Sequence, residues 1–304
     1  MNVKKLIGAA LFAIIANGAF ASESEGNSLS WAPGDGISYD ETSILSTEAT
    51  LNFHSKYMSY GVVYGNDPIL VPGVCATFFD WAYIGVESIF DLTKGNGKGF
   101  GYGNRAGKYT TIDAFVGLAH EFELGETIGT LSVDFGYMYE YFTRNTQKVE
   151  DGCIWDSQYL MLEMSLDGHW LVPTLYVERD LMYDNGTYAS LTLGHEFEIY
   201  DGLTLTPSIG QGLGNSLRTK GYFAELDKYA EKGFNHGGLM DTTIKVELEY
   251  AINDWLTFGA YVAYYDYLFD DKMREAAAAY NAQWGARSDK TWNFVGGLSL
   301  TASF

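Results

Sequence analysis

The chain is short of several things that a soluble enzyme or a helical membrane protein of its length would show. Its 304 residues include 2 Cys and 5 Pro, and 19 Lys plus Arg stand against 39 Asp plus Glu. So few basic residues argue against nucleic acid as a partner, because phosphate contacts need Lys and Arg. The two cysteines, Cys75 and Cys153, can form one bridge and no disulfide framework. After the first 21 residues no segment reaches the roughly 18 uninterrupted apolar residues that a spanning helix needs. Few segments carry the 3.6-residue apolar period of long helices. His54, His120, His169, His195 and His236 show no metal-ligand spacing such as H-x-x-x-H, so neither a metal nor a cofactor is expected.

What the chain has in quantity is aromatic residues and glycine: 23 Tyr, 18 Phe, 7 Trp and 35 Gly. With so little proline, that mixture favours many strands. Residues 1–21 read as a signal peptide: Lys4 and Lys5, an apolar run from Leu6 to Ala16, then Ala19-Phe20-Ala21 as a small-x-small cleavage site. Without those two lysines the exported chain is more acidic still. Residues 22–47 are polar and aperiodic, and they read as a periplasmic lead-in. From residue 48 to residue 304 the two-residue period begins and seldom stops.

About twelve alternating segments of roughly 10–14 residues follow, the first over about Ala49–Tyr60 and the last ending at Phe304. The segment Gly129–Phe142 shows the pattern best: Leu131, Val133, Phe135, Tyr137, Tyr139 and Tyr141 oppose Ser132, Asp134, Gly136, Met138 and Glu140. The connections alternate in length. Phe79-Asp80, Leu124 to Thr127, Asp167-Gly168, Asp201-Gly202 and Ile252 to Asp254 are tight. Between them lie longer stretches: Gly61–Pro68, Thr93–Lys108, Thr143–Asp156, Gly214–Leu239 and Phe269–Lys290, with Asp184-Asn185-Gly186 the short exception. Short turns on one side and long loops on the other, with an even strand count, predict an all-β, single antiparallel transmembrane β-barrel.

The polar face carries charge on nearly every segment: Lys56, Glu87, Asp113, Asp134, Glu140, Glu163, Glu178, Glu196, Lys245, Glu247 and Glu249. That many carboxylates cannot share a dry core, because unpaired buried charge costs too much. They are therefore expected to line a hydrated lumen, with the apolar face towards lipid. Tyr57, Tyr137, Tyr139, Tyr141, Trp170, Tyr200, Tyr250, Trp255 and Trp292 are expected at the bilayer interfaces.

The final segment, KTWNFVGGLSLTASF, alternates strictly and ends on a bare aromatic, Phe304. It resembles the closing strand of bacterial outer-membrane β-barrels. That resemblance implies pairing of the last strand with the first, and a C-terminal address for the barrel-assembly machinery. The hairpin VPTLYVERDLMYDNGTYASLTLGHEF (Val172 to Phe197), with Ser55-Lys56-Tyr57, resembles a porin-like group of such barrels, known mainly as uncharacterised proteins. It implies an outer-membrane location and brings no catalytic residues.

The function expected is passive passage of small solutes, with cations or neutral molecules favoured by the acidic lumen. The carboxylates could equally be a solvated wall of compensating pairs. Two other readings stay open: a structural or surface-binding barrel working through its long loops, and a membrane-embedded lipid hydrolase, although no Ser-His-acid signature is present. A Cys75–Cys153 bridge would pull the loop carrying Cys153 down onto the wall. The run Gly95 to Gly103 lacks the GK[ST] of a phosphate loop and reads as an external loop. Short helices are expected over Tyr222–Lys232 and Asp270–Trp284, facing solvent or else capping or plugging the mouth.

Overall fold

In a computed structural model, the structure describes residues 44–93, 107–125, 127–142, 156–168, 170–283 and 290–304. The strands are β1 (Leu45–His54), β2 (Tyr57–Ser59), β3 (Val62–Gly65), β4 (Ile69–Phe78), β5 (Ala82–Asp91), β6 (Lys108–Glu123), β7 (Thr130–Phe142) and β8 (Ser157–Asp167). They continue with β9 (Val172–Asp180), β10 (Thr187–Gly194), β11 (Phe197–Tyr200), β12 (Leu203–Gly214), β13 (Gly238–Asn253), β14 (Leu256–Asp266) and β15 (Asn293–Ser303). Helix α1 (Ser216–Phe223) lies between β12 and β13, and α2 (Asp271–Gln283) between β14 and β15.

The wall closes on itself. Both β10 and β11 pair with β12, so they form one wall strand with a break at His195-Glu196. β15 pairs with β1, Ala49 opposite Ala302, and the backbones of Thr47 and Phe304 exchange two further hydrogen bonds at the seam. The result is an antiparallel barrel of twelve wall strands. Closure leaves an open edge only at the short β11, close to what a sheet in lipid requires.

Alternation along the wall has the predicted sign. In β6, Ile112, Val116 and Leu118 are exposed on the outer surface, while Asp113, Phe115 and Ala119 are buried inside. In β7, Phe135 is exposed and its neighbour Asp134 is buried. Aromatics ring the end of the short turns: Phe79, Trp81, Trp170, Tyr200 and Trp255 are all exposed there, and Trp255 stacks on Phe304. The Phe79-Asp80 turn has φ of +55° and +62° at its two residues, the left-handed geometry that suits the twist of a two-residue hairpin.

Three expectations need correction. The first wall strand ends at His54 rather than running on to Tyr60, and begins at Leu45, three residues before Glu48. Residues 57–65 instead fold as a separate two-stranded hairpin, β2–β3. Tyr57 therefore packs against Tyr64 of the hairpin and is not an interface residue. The first loop helix lies at Ser216–Phe223, earlier than Tyr222–Lys232, because the side chain of Asn215 accepts from the Arg218 N–H and caps it. Both helices turn inward, the plugging placement among those expected of them. Phe223 of α1, and Met273, Ala276, Ala277 and Tyr280 of α2, are fully buried in the same cluster as wall residues Tyr83, Phe115, Tyr159, Tyr176 and Tyr188. The run Gly95–Gly103 lies outside the described residues.

Candidate functional site

The inner wall is built in cross-strand rows. Glu87 on β5 stands opposite Asp113 on β6, and Asp113 opposite Glu140 on β7. Directly opposed side chains sit about 5 Å apart, so three carboxylates form one continuous acidic row. Ser157 on β8 extends it. Glu87 and Asp113 are buried, and Glu140 accepts a hydrogen bond from the Tyr159 hydroxyl at 2.8 Å. Towards the periplasmic end, Asp134 stands opposite Glu163 and accepts from the Tyr83 hydroxyl at 2.6 Å.

On the other side of the bore, Lys245 pairs with Glu247 at 3.1 Å and lies over the Tyr261 ring. His54 bonds the Tyr261 hydroxyl at 2.8 Å. Glu196 and Glu249 are exposed near the periplasmic rim, and Lys56 is half-buried just beyond β1. Glu178 is fully buried. Cys75 is buried in the bore-filling cluster, whereas Cys153 lies outside the described residues.

Glycine makes room for rings that lie flat across the inner wall. A Cβ on Gly117 would sit 2.2 Å from the Tyr83 ring, one on Gly85 2.2 Å from Phe115, and one on Gly297 2.0 Å from Tyr261. These rings narrow the bore without any loop.

The extracellular half is filled by the hairpin and the helices. The tip, Tyr60-Gly61, has φ of +45° and +77°. Its Tyr60 hydroxyl donates to Glu178 at 2.5 Å, its ring stands edge-on to Tyr188 at 4.6 Å, and its carbonyl accepts from the Tyr267 hydroxyl at 2.5 Å. Arg218 of α1 reaches the same place. Its guanidinium lies 2.5 Å from Glu178, 3.2 Å from Asp184 and 3.8 Å from Asp180, over the rings of Tyr60 and Tyr159. Tyr176 donates to the other Glu178 oxygen at 2.9 Å. In the connection between β9 and β10, burial pushes the Asp184 carboxyl up to about 6, although Arg218 pulls the other way. Asp270 is the N-cap of α2, accepting from the Lys272 and Met273 N–H groups and meeting His236 at 2.8 Å. Burial pushes its carboxyl up, but His236 and those N–H groups outweigh burial and hold it below the usual range.

The sequence reading does not single out Arg218, Asp180, Asp184 or Tyr60. The signal that could have found Arg218 is Asn215-Ser216 as a helix start inside a long loop, with a cation on the first turn. Among the described residues no group of three or more His, Cys, Asp or Glu is arranged to hold a metal ion. The arrangement sets rows of carboxylates along the inner wall and packs a hairpin and two helices against them.

A closed antiparallel barrel with an apolar exterior and a charged interior has the architecture of a transmembrane β-barrel. Among solved structures, the chain is similar to the NanC porin (10% identity, 84% of this chain and 98% of that one, TM-score 0.45). It is also similar to an outer-membrane channel from Pseudomonas putida F1 (10% identity, 90% and 99%, TM-score 0.47). A third is Pseudomonas aeruginosa OpdL, of which the chain spans 59% (12% identity, 78% of this chain, TM-score 0.36). No family model and no curated protein matches the chain.

Proposed function

We propose that the protein is an outer-membrane channel for the passive passage of small solutes, and that its acidic bore favours cations over anions. The observation that carries this reading is the inward row Glu87–Asp113–Glu140. Carboxylates held in a narrow, low-dielectric passage attract cations and repel anions strongly. The exposed carboxylates Glu196 and Glu249 at the periplasmic rim extend the same field into water. No chemical step and no cofactor are required. In this reading residues 1–21 are removed on export, residues 22–47 lead into the barrel, and Phe304 is presented to the assembly machinery beside Trp255.

The packed bore gives weight to a second reading: a barrel that works through its extracellular face and conducts nothing. Purified protein in planar bilayers separates the two. Stepwise ohmic conductance supports the channel; its absence, in a correctly folded preparation, supports the surface-binding barrel. Release of fatty acid from phospholipid would instead revive a lipid hydrolase.

A further inference from the structure

We propose that hairpin β2–β3 and helix α1 form one removable plug, and that Arg218 is the pin that fastens it to the wall. The inference rests on the channel reading only for what the plug would control. Its physical basis is separate and concerns how the plug is attached.

The hairpin's ladder is closed within itself. β2 pairs with β3 and with no wall strand, and β1 and β4 pair with each other across the base of the insertion. Withdrawing the hairpin therefore breaks no rung of the barrel. The hairpin enters between β1 and β4, and α1 lies between β12 and β13. All these connections lie at the extracellular end, so no covalent tether holds either piece at depth. What holds them is side-chain contact.

Arg218 is where α1, the wall and the hairpin tip meet, although the hairpin also touches α2 through Val63 and Asn281 and the wall through Tyr267. Its carbon skeleton belongs to α1, its guanidinium pairs with Glu178 of the wall at 2.5 Å, and it lies 5.1 Å from the centre of the Tyr60 ring on the hairpin tip. Tyr60 in turn donates to the same Glu178 oxygen at 2.5 Å. Glu178 is thus a shared seat for the helix and the hairpin. The side chains of Arg218 and Glu178 are 1% and 0% exposed, so water cannot replace either partner while the plug is seated. Removing the cation leaves Glu178 and Asp180 buried beside each other with much of their compensating charge gone, a severe penalty that disappears if the plug leaves and water enters. The same change costs the wall itself little, because its ladder does not include Arg218.

The test is amide hydrogen exchange on the full-length barrel in detergent, wild type against Arg218→Met. Exchange across residues 57–65 and 216–223 is expected to rise at least about a hundredfold, the lower side of what loss of one partner of a buried pair produces, while β7 and β14 stay protected. Unchanged exchange in the hairpin overturns the proposal, and so does equal loosening of plug and wall. Should Arg218→Met fail to assemble, Arg218→Lys keeps the charge without the fork and is expected to raise the same two segments by a smaller factor; no rise there overturns the proposal equally. Planar-bilayer recordings of the same variants report on the channel reading alone: faster exchange without conductance keeps the latch and removes the channel.

Discussion

Inside the bore, the Arg218 guanidinium and the Glu178 carboxylate meet at 2.5 Å, where neither side chain touches solvent. One belongs to a loop helix and the other to the wall, 40 residues apart in sequence. Truncating one member of such a pair costs about 3–5 kcal/mol, because the other is left charged and buried. Glu178→Ala should therefore loosen the plug, and the Tyr60 and Tyr176 hydroxyls would lose their acceptor as well. The expected outcome is retained β circular dichroism with a lower unfolding temperature; an unchanged unfolding temperature would contradict it.

The flat ring of Tyr83 over Gly117 gives a second prediction. A methyl at Gly117 would lie 2.2 Å from the ring, so Gly117→Ala must push Tyr83 aside and stretch its hydrogen bond to Asp134. A cost of about 1–3 kcal/mol is expected for overpacking of this kind. Heat-modifiable migration on gels measures it. Ala114→Gly, on the outward face of the same strand, serves as the control and should cost less.

Asp184 predicts a pH dependence. Burial raises its carboxyl in the folded protein to about 6, above the roughly 3.9 of an unfolded aspartate. The folded state then binds the proton more tightly, so this group's contribution is fully present below about 4 and is lost as pH rises through about 6. Exchange across α1 should slow as pH falls through that window, after correction for the intrinsic rate. Asp184→Asn should flatten the dependence, and a slope of opposite sign would contradict the assignment.

Asp270 has the opposite sign. Its carboxyl is held low in the folded state, so its contribution is present above the ordinary aspartate value and is lost as pH falls through its lowered one. As the cap of α2, its replacement by Ala should cost about 1 kcal/mol. The readout is faster exchange in Asp271–Gln283, with the wall unaffected; an unchanged helix would show that the cap does not matter.

The wall was legible in the sequence because a two-residue period leaves little freedom. Once Phe135 is placed towards lipid, Asp134 and Gly136 must face the bore. The loop helices were legible as a possible plug, but the hairpin's part in it was not, for a different physical reason. Residues 57–60 keep the alternation of β1, so the period alone extends the strand; only the left-handed Tyr60-Gly61 turn shows that the chain reverses into the bore. Arg218 was hidden in the same way, since its partners Glu178 and Asp180 lie on a distant strand and no local pattern connects them. The ring-over-glycine pairs were equally silent, because register between strands decides which glycine faces which ring.

The claim on which the account turns is that cations follow the carboxylates lining the bore. The reversal potential across a tenfold KCl gradient tests it most directly, recorded in planar bilayers on wild type and on the more open Arg218→Met. The expected potential has the sign that marks cation selectivity and is reduced when Glu87→Gln, Asp113→Asn and Glu140→Gln are combined. A potential near zero, or one of the anion-selective sign that the triple variant leaves unchanged, would contradict it.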